Sequence, residues 1–143
     1  ERCKTLEKEL ENGSYIFTSK HNMPAPSHSI RAFIGSKNYA ISRAFYHALG
    51  FEEINLGTTM SYFKIDDKLG FYLQNAYVKD WVDNTMLFWE VADIEKCYQS
   101  LVDKKLPEKF DAVRLSSIKN EAWGREFFLH DPSGVLWHIG VFN

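Results

Sequence analysis

The sequence predicts an α+β fold made of two consecutive βαβββ modules. Three observations predict it. A helical apolar stripe occurs twice, opening at Ile41 and again 53 positions later at Ile94. Short strand-like runs follow each copy in the same succession. Turn signals fall at comparable places, with Asp66-Asp67-Lys68 in the first half and Asp131-Pro132-Ser133-Gly134 in the second.

Residues 1–12 (ERCKTLEKELEN) are helix formers in which Cys3, Leu6 and Leu10 make a narrow apolar stripe, and Gly13 is a stop. This predicts an amphipathic N-terminal helix whose stripe is solvated or docks on a second subunit. Pro24 and Pro26 mark a linker, so residues 1–25 read as helix and linker and 26–143 as the domain, with modules 30–75 and 85–142. Ile30–Gly35 is the first strand. Ile41, Ala44, Phe45, Ala48 and Leu49 recur at i, i+3, i+4, i+7 and i+8, and Gly50 closes that helix. Strand-like runs follow at Phe51–Leu56, Thr58–Ile65 and Leu69–Gln74. The second module starts with Met86–Val91. Its helix carries Ile94, Cys97, Tyr98, Leu101 and Val102 behind an N-capping Asp93. Val113–Ser117, Arg125–His130 and Val135–Val141 complete it, and Ser117–Gly124 reads as a polar loop.

Composition narrows the function classes. The 143 residues are 45% hydrophobic and 15% aromatic, the make-up of a chain that buries a core. A formal net charge of −2 with scattered Lys and Arg argues against a nucleic-acid partner. No apolar run approaches the roughly 20 residues that span a bilayer, so no membrane is expected. Cys3 and Cys97 make no disulfide framework, and a reduced, cytoplasmic protein is the default expectation.

Three short motifs then carry a resemblance. Ala44-Phe45-Tyr46-His47-Ala48-Leu49-Gly50-Phe51 resembles the signature that ends the first helix of vicinal-oxygen-chelate (glyoxalase/bleomycin-resistance/dioxygenase) proteins. Asp131-Pro132-Ser133-Gly134-Val135-Leu136-Trp137 is similar to the turn before their last strand, and Asp93-Ile94 to the start of their second helix. Glu121-Ala122-Trp123-Gly124 resembles the metal-free bleomycin-resistance branch in particular. The resemblance implies modules whose sheets curve, half-barrel-like, around a cavity, and a homodimer.

It also implies four positions where the superfamily's enzymes hold a metal, here matched to Arg31, Gln74, Met86 and His138. Only His138 is an ordinary ligand for a divalent ion. A guanidinium is always charged and has no lone pair to give. At about 4 Å and an effective dielectric of about 20 it would repel a divalent ion by roughly 8 kcal/mol. No metal and no cofactor are expected. His28 stands an odd step from Arg31 and would face the other way in a regular strand.

Side chains alternate across a strand, so Phe33, Tyr72, Phe88, Glu90 and Leu136 share the face of those four positions. Trp89, Trp137, Ile34 and Leu73 should pack against the helices. The candidate ligand-binding set is Arg31, Phe33, Tyr72, Gln74, Phe88, Glu90, Trp123 and His138, with Trp81 a further loop aromatic. Apolar walls with a few polar groups suit a small-molecule ligand. The alternative reading is that Arg31 and Glu90 neutralise each other and that each aromatic is plain core. No phosphate-binding loop, dinucleotide fingerprint, HExxH, CxxC or GxSxG occurs, and no catalytic residue is assigned. The reading is a metal-independent small-molecule binder. A metal-dependent glyoxalase- or dioxygenase-like enzyme and a structural module without a ligand stand as alternatives.

Overall fold

The computed structural model describes residues 25–143. The expected helix at 1–12, Cys3 and most of the linker lie outside them. Each module forms its own sheet. The first contains β1 (Phe33–Ile34), β2 (Glu52–Asn55), β3 (Met60–Lys64) and β4 (Gly70–Gln74), in the order β1-β4-β3-β2. The second runs β5-β9-β8-β6, built from β5 (Met86–Glu90), β6 (Arg114–Leu115), β8 (Gly124–His130) and β9 (Leu136–Phe142). An extra strand, β7 (Lys119–Glu121), pairs with β8. In both sheets the module's first strand pairs in parallel with its last, and the remaining pairs are antiparallel.

Helix α1 (Tyr39–Leu49) begins where Asn38 accepts the Ile41 N–H at 3.2 Å. It ends at Gly50, whose φ of 106° would strain any residue with a Cβ. Its buried face is Ser42, Phe45, Tyr46 and Leu49, not the Ile41–Ala44 edge that the apolar spacing suggests. Ile41 is 44% exposed. The face is turned because Tyr46 combines a large apolar ring with a hydroxyl that has a buried acceptor: it donates to Asp131 at 2.7 Å and accepts from Trp137 Nε1 at 3.0 Å. Helix α3 (Ile94–Asp103) is capped by Asp93 as expected, with Lys96 N–H donating to Asp93 at 3.0 Å. Ile94 and Leu101 are buried, while Cys97 is half-buried against the core. That burial pushes the Cys97 thiol up, away from a reactive thiolate.

Trp137 joins the modules. It comes from β9, and its indole lies 5.3 Å from the Phe71 ring and 6.0 Å from those of Tyr46 and Phe51. Ile34 and Leu73 are buried with it, and Trp89 packs at its edge, as the alternation predicts. Four expectations are corrected. The first strand is two residues long and Ile30 is almost wholly exposed. Two short helices, α2 (Lys79–Asp83) and α4 (Leu106–Lys109), occupy stretches to which the sequence assigned no helix or strand. The polar loop before Gly124 contains β7. Trp81 sits in α2 with its ring beside Gly35 and packs on the core, so it is no loop-borne contact residue.

The back of α1 is fastened to β2 by ionic contacts. Arg43 Nε donates to both Glu53 oxygens at 3.0 Å, and His47 Nε2 lies 3.2 Å from Glu53. The Arg43 hydrogen bond holds the Glu53 carboxyl below its usual range, against a smaller opposing effect of burial. A depressed folded value means that the stabilisation exists above the unfolded pKa and is lost as pH falls through the folded one. Glu53→Gln should therefore cost about 1 kcal/mol near neutrality and progressively less as the pH is lowered below the ordinary carboxylate range, read from paired urea melts. A cost that does not change with pH would show that packing, not charge, is lost.

Candidate functional site

Alternation along the strands leaves one face of each sheet without helices on it, and the side chains there gather into two patches. On the first sheet Arg31 lies across Tyr62, its guanidinium carbon 4.2 Å from the ring centroid. It donates to the Tyr72 hydroxyl at 2.9 Å, and Tyr72 is stacked on Phe33 at 4.7 Å. The hydrogen bond to Tyr72 raises the pKa of the guanidinium further, so Arg31 is a permanent cation. Its partners are these tyrosines. The alternative pairing of Arg31 with Glu90 is not formed among the described residues, and the phenol and ring faces hold the guanidinium instead.

The second patch is a groove of about 410 Å³ lined by Phe88, Trp123, Glu126, His138 and Phe142. Phe88 is stacked against Phe142 at 5.2 Å and meets Trp123 edge-on at 5.7 Å, while Trp123 and Phe142 are 5.5 Å apart. These three rings are 43%, 39% and 56% exposed for Phe88, Trp123 and Phe142. His138 closes the floor, its Nδ1 3.2 Å from Glu126 Oε2, with Phe128 edge-on to the imidazole at 5.0 Å. A carboxylate only accepts, so Nδ1 is the donor in this hydrogen bond.

Trp123 reaches the groove from a tight hairpin. Glu121 pairs with Gly124 and leaves Ala122 and Trp123 at the tip. Asn143 braces that tip, its backbone N–H donating to the Trp123 carbonyl at 3.1 Å and its side-chain amide to the Ala122 carbonyl at 2.9 Å.

The residues expected from the sequence thus fall into two sets. Arg31, Phe33 and Tyr72 come together, as do Phe88, Trp123 and His138. Gln74 is half-buried and Met86 and Glu90 are exposed, and none of these three side chains forms a hydrogen bond among the described residues. Tyr62, Glu126 and Phe142 are functional candidates that the sequence reading missed. Strand parity could have found Glu126, which alternates with Phe128 on β8, and Phe142, which follows His138 and Gly140 on β9.

No family model and no curated protein matches this sequence. Solved structures do match. The bleomycin-binding protein of the bleomycin producer Streptomyces verticillus, complexed with copper(II)-bleomycin, superposes with a TM-score of 0.70 over 83% of this chain and 99% of that one, at 16% identity. The chain has the glyoxalase/bleomycin-resistance fold. The bleomycin resistance determinant of transposon Tn5 is similar at a TM-score of 0.67 and 16% identity, covering 82% of this chain and 99% of that one. A glyoxalase/bleomycin resistance protein from Catenulispora acidiphila covers 82% of this chain and all of its own, with a TM-score of 0.66 and 16% identity.

Within this fold the strand registers correct one assignment. Met86 pairs with Leu136, and His138 lies two residues farther along β9. Phe33 pairs with Tyr72, and Gln74 lies two residues farther along β4. Phe33, not Arg31, is therefore the counterpart of Met86, and the repulsion argued from Arg31 no longer applies at that position. The matched positions hold a phenyl ring, an amide, a thioether and one imidazole. Among the described residues no three His, Cys, Asp or Glu side chains gather as a metal site. This donor set does not fit the divalent ion of the fold's metal enzymes. No helix of the described residues is long and apolar enough to cross a membrane.

Proposed function

We propose that this protein binds a small, flat organic molecule in the second-sheet groove, without a metal and without transforming it, and so sequesters it. The exposed cluster of Phe88, Trp123 and Phe142 around a polar floor carries the proposal. Solvated aromatic rings held 5.2–5.7 Å apart by backbone pairing are costly to leave in water and suited to covering a planar ligand. Two solved neighbours that share this fold are bleomycin-binding proteins complexed with bleomycin, which supports a small-molecule ligand for this chain. A second copy of the chain would shield these rings from the open side, and we propose that the binding form is a homodimer.

The test is a ligand screen by thermal melting and titration calorimetry, using planar aromatics and copper(II)-bleomycin as probes. A ligand should raise the melting temperature, since binding to the native state stabilises it. Trp123→Ala should weaken that ligand about tenfold, the loss of one stacking contact of about 1.4 kcal/mol. A screen without any stabilising compound would favour a purely structural module. Stoichiometric nickel, zinc, manganese or iron on the purified protein would overturn metal independence, and sedimentation as a monomer at tens of micromolar would overturn the homodimer.

A further inference from the structure

We propose that the groove on the second sheet selects organic cations, with Glu126 as the counter-charge and Phe88, Trp123 and Phe142 as an aromatic enclosure. This deepens the reading above and rests on it. Glu126 is only 7% exposed, yet its side chain lines the groove. His138 engages Oε2, and no protein donor reaches Oε1 among the described residues. No buried side-chain oxygen or nitrogen is left sealed without a partner there, so Oε1 is open towards the groove. A nearly buried carboxylate with one hydrogen-bond partner is incompletely compensated, and a ligand cation supplies what is lacking.

The neighbouring charges do not do so. Lys119 is the cross-strand partner of Glu126, but it forms no ion pair with it and places its ammonium 4.9 Å from the Phe128 ring centroid. Arg125 is engaged by Glu95 at 2.6 Å. Arg31 is held by the tyrosines of the other sheet. The face of an aromatic ring attracts a cation, and such enclosures recognise alkylammonium groups. The protein already seats its own cations in this way, Lys119 over Phe128 and Arg31 over Tyr62. A carboxylate ligand would meet the Glu126 carboxylate at the floor and be repelled.

The probes are benzyltrimethylammonium, its uncharged carbon isostere neopentylbenzene, and phenylmethanesulfonate, titrated by calorimetry and by the chemical shifts of ring protons. The cation should bind at least tenfold more tightly than either of the others. Glu126→Gln, which keeps the shape, should abolish that preference, and Trp123→Leu should weaken all binding. Near-UV circular dichroism of each variant confirms its fold, and Phe142→Ala, at an exposed position, provides a second reading of the enclosure. Equal or tighter binding of the sulfonate or the isostere would overturn cation selectivity, as would a preference that survives Glu126→Gln. If those probes bind and lose affinity in Trp123→Leu, the groove stands as a binding site and only its charge preference falls. If no probe binds, the cation inference falls too, and the wider screen decides the fate of the groove.

Discussion

Asp131→Ala should destabilise the protein by about 3–5 kcal/mol, the cost of removing a buried ionic acceptor whose partners stay behind. The side chain is fully buried. Oδ1 accepts the N–H groups of Ser133 at 2.8 Å and Val135 at 2.9 Å, while Oδ2 accepts the Tyr46 hydroxyl at 2.7 Å. Burial, and next the Asp131 charge, push the Tyr46 phenol well up, so it remains a donor. Alanine would strand two backbone donors in the turn and the hydroxyl on α1, each worth about 1–3 kcal/mol when left unsatisfied. Asp131→Asn is the informative companion. Its carbonyl oxygen can keep both turn bonds, but its amide nitrogen cannot accept from Tyr46, so it should cost roughly half as much. Urea melts of the two variants and of Tyr46→Phe check this. If Asp131→Ala loses under 1 kcal/mol, the turn does not depend on the carboxylate.

Gly124→Ala should cost about 1–3 kcal/mol and disturb the groove as well. A Cβ at Gly124 would lie 2.1 Å from the Val141 carbonyl oxygen, which is backbone of the strand paired with β8. No side chain can swing away, so β8 and β9 must separate where Gly124 faces Phe142. Trp123 is the next residue in the chain and Phe142 is its groove partner. The near-UV circular dichroism of the aromatic cluster should change along with the urea midpoint. A variant with wild-type stability and spectrum would show that the strand ends yield freely.

The sequence disclosed the fold through phase and order. Ile34, Leu73 and Trp137 are buried and Phe33, Phe88 and Glu90 are not, because a period of two decides the face once a strand is recognised. The same logic explains the Arg31 error. A shift of two residues preserves the face, so parity cannot detect it, and only the pairing of Phe33 with Tyr72 does. The α1 stripe misled because apolar spacing ignores hydrogen-bond demand: Tyr46 is drawn inward by Asp131, 85 positions away. Lys119–Glu121 has no apolar alternation, and its strand exists only through the partner it meets across the hairpin. Glu126 went unnoticed because a charged residue on a strand reads as solvent-facing until its neighbours are known.

The hairpin that carries Trp123 belongs to the second half only, and the two halves have thereby become unequal. The scaffold strands β5, β8 and β9 hold their registers whatever side chain the tip bears. The backbone of Ala122 and Trp123 is fastened to the scaffold by the Glu121–Gly124 pair and by Asn143, and neither tie depends on the side chain at the tip. Ligand preference can therefore drift by exchange of tip residues at little risk to folding, so lineages sharing this scaffold can diverge in what they capture while their cores stay alike.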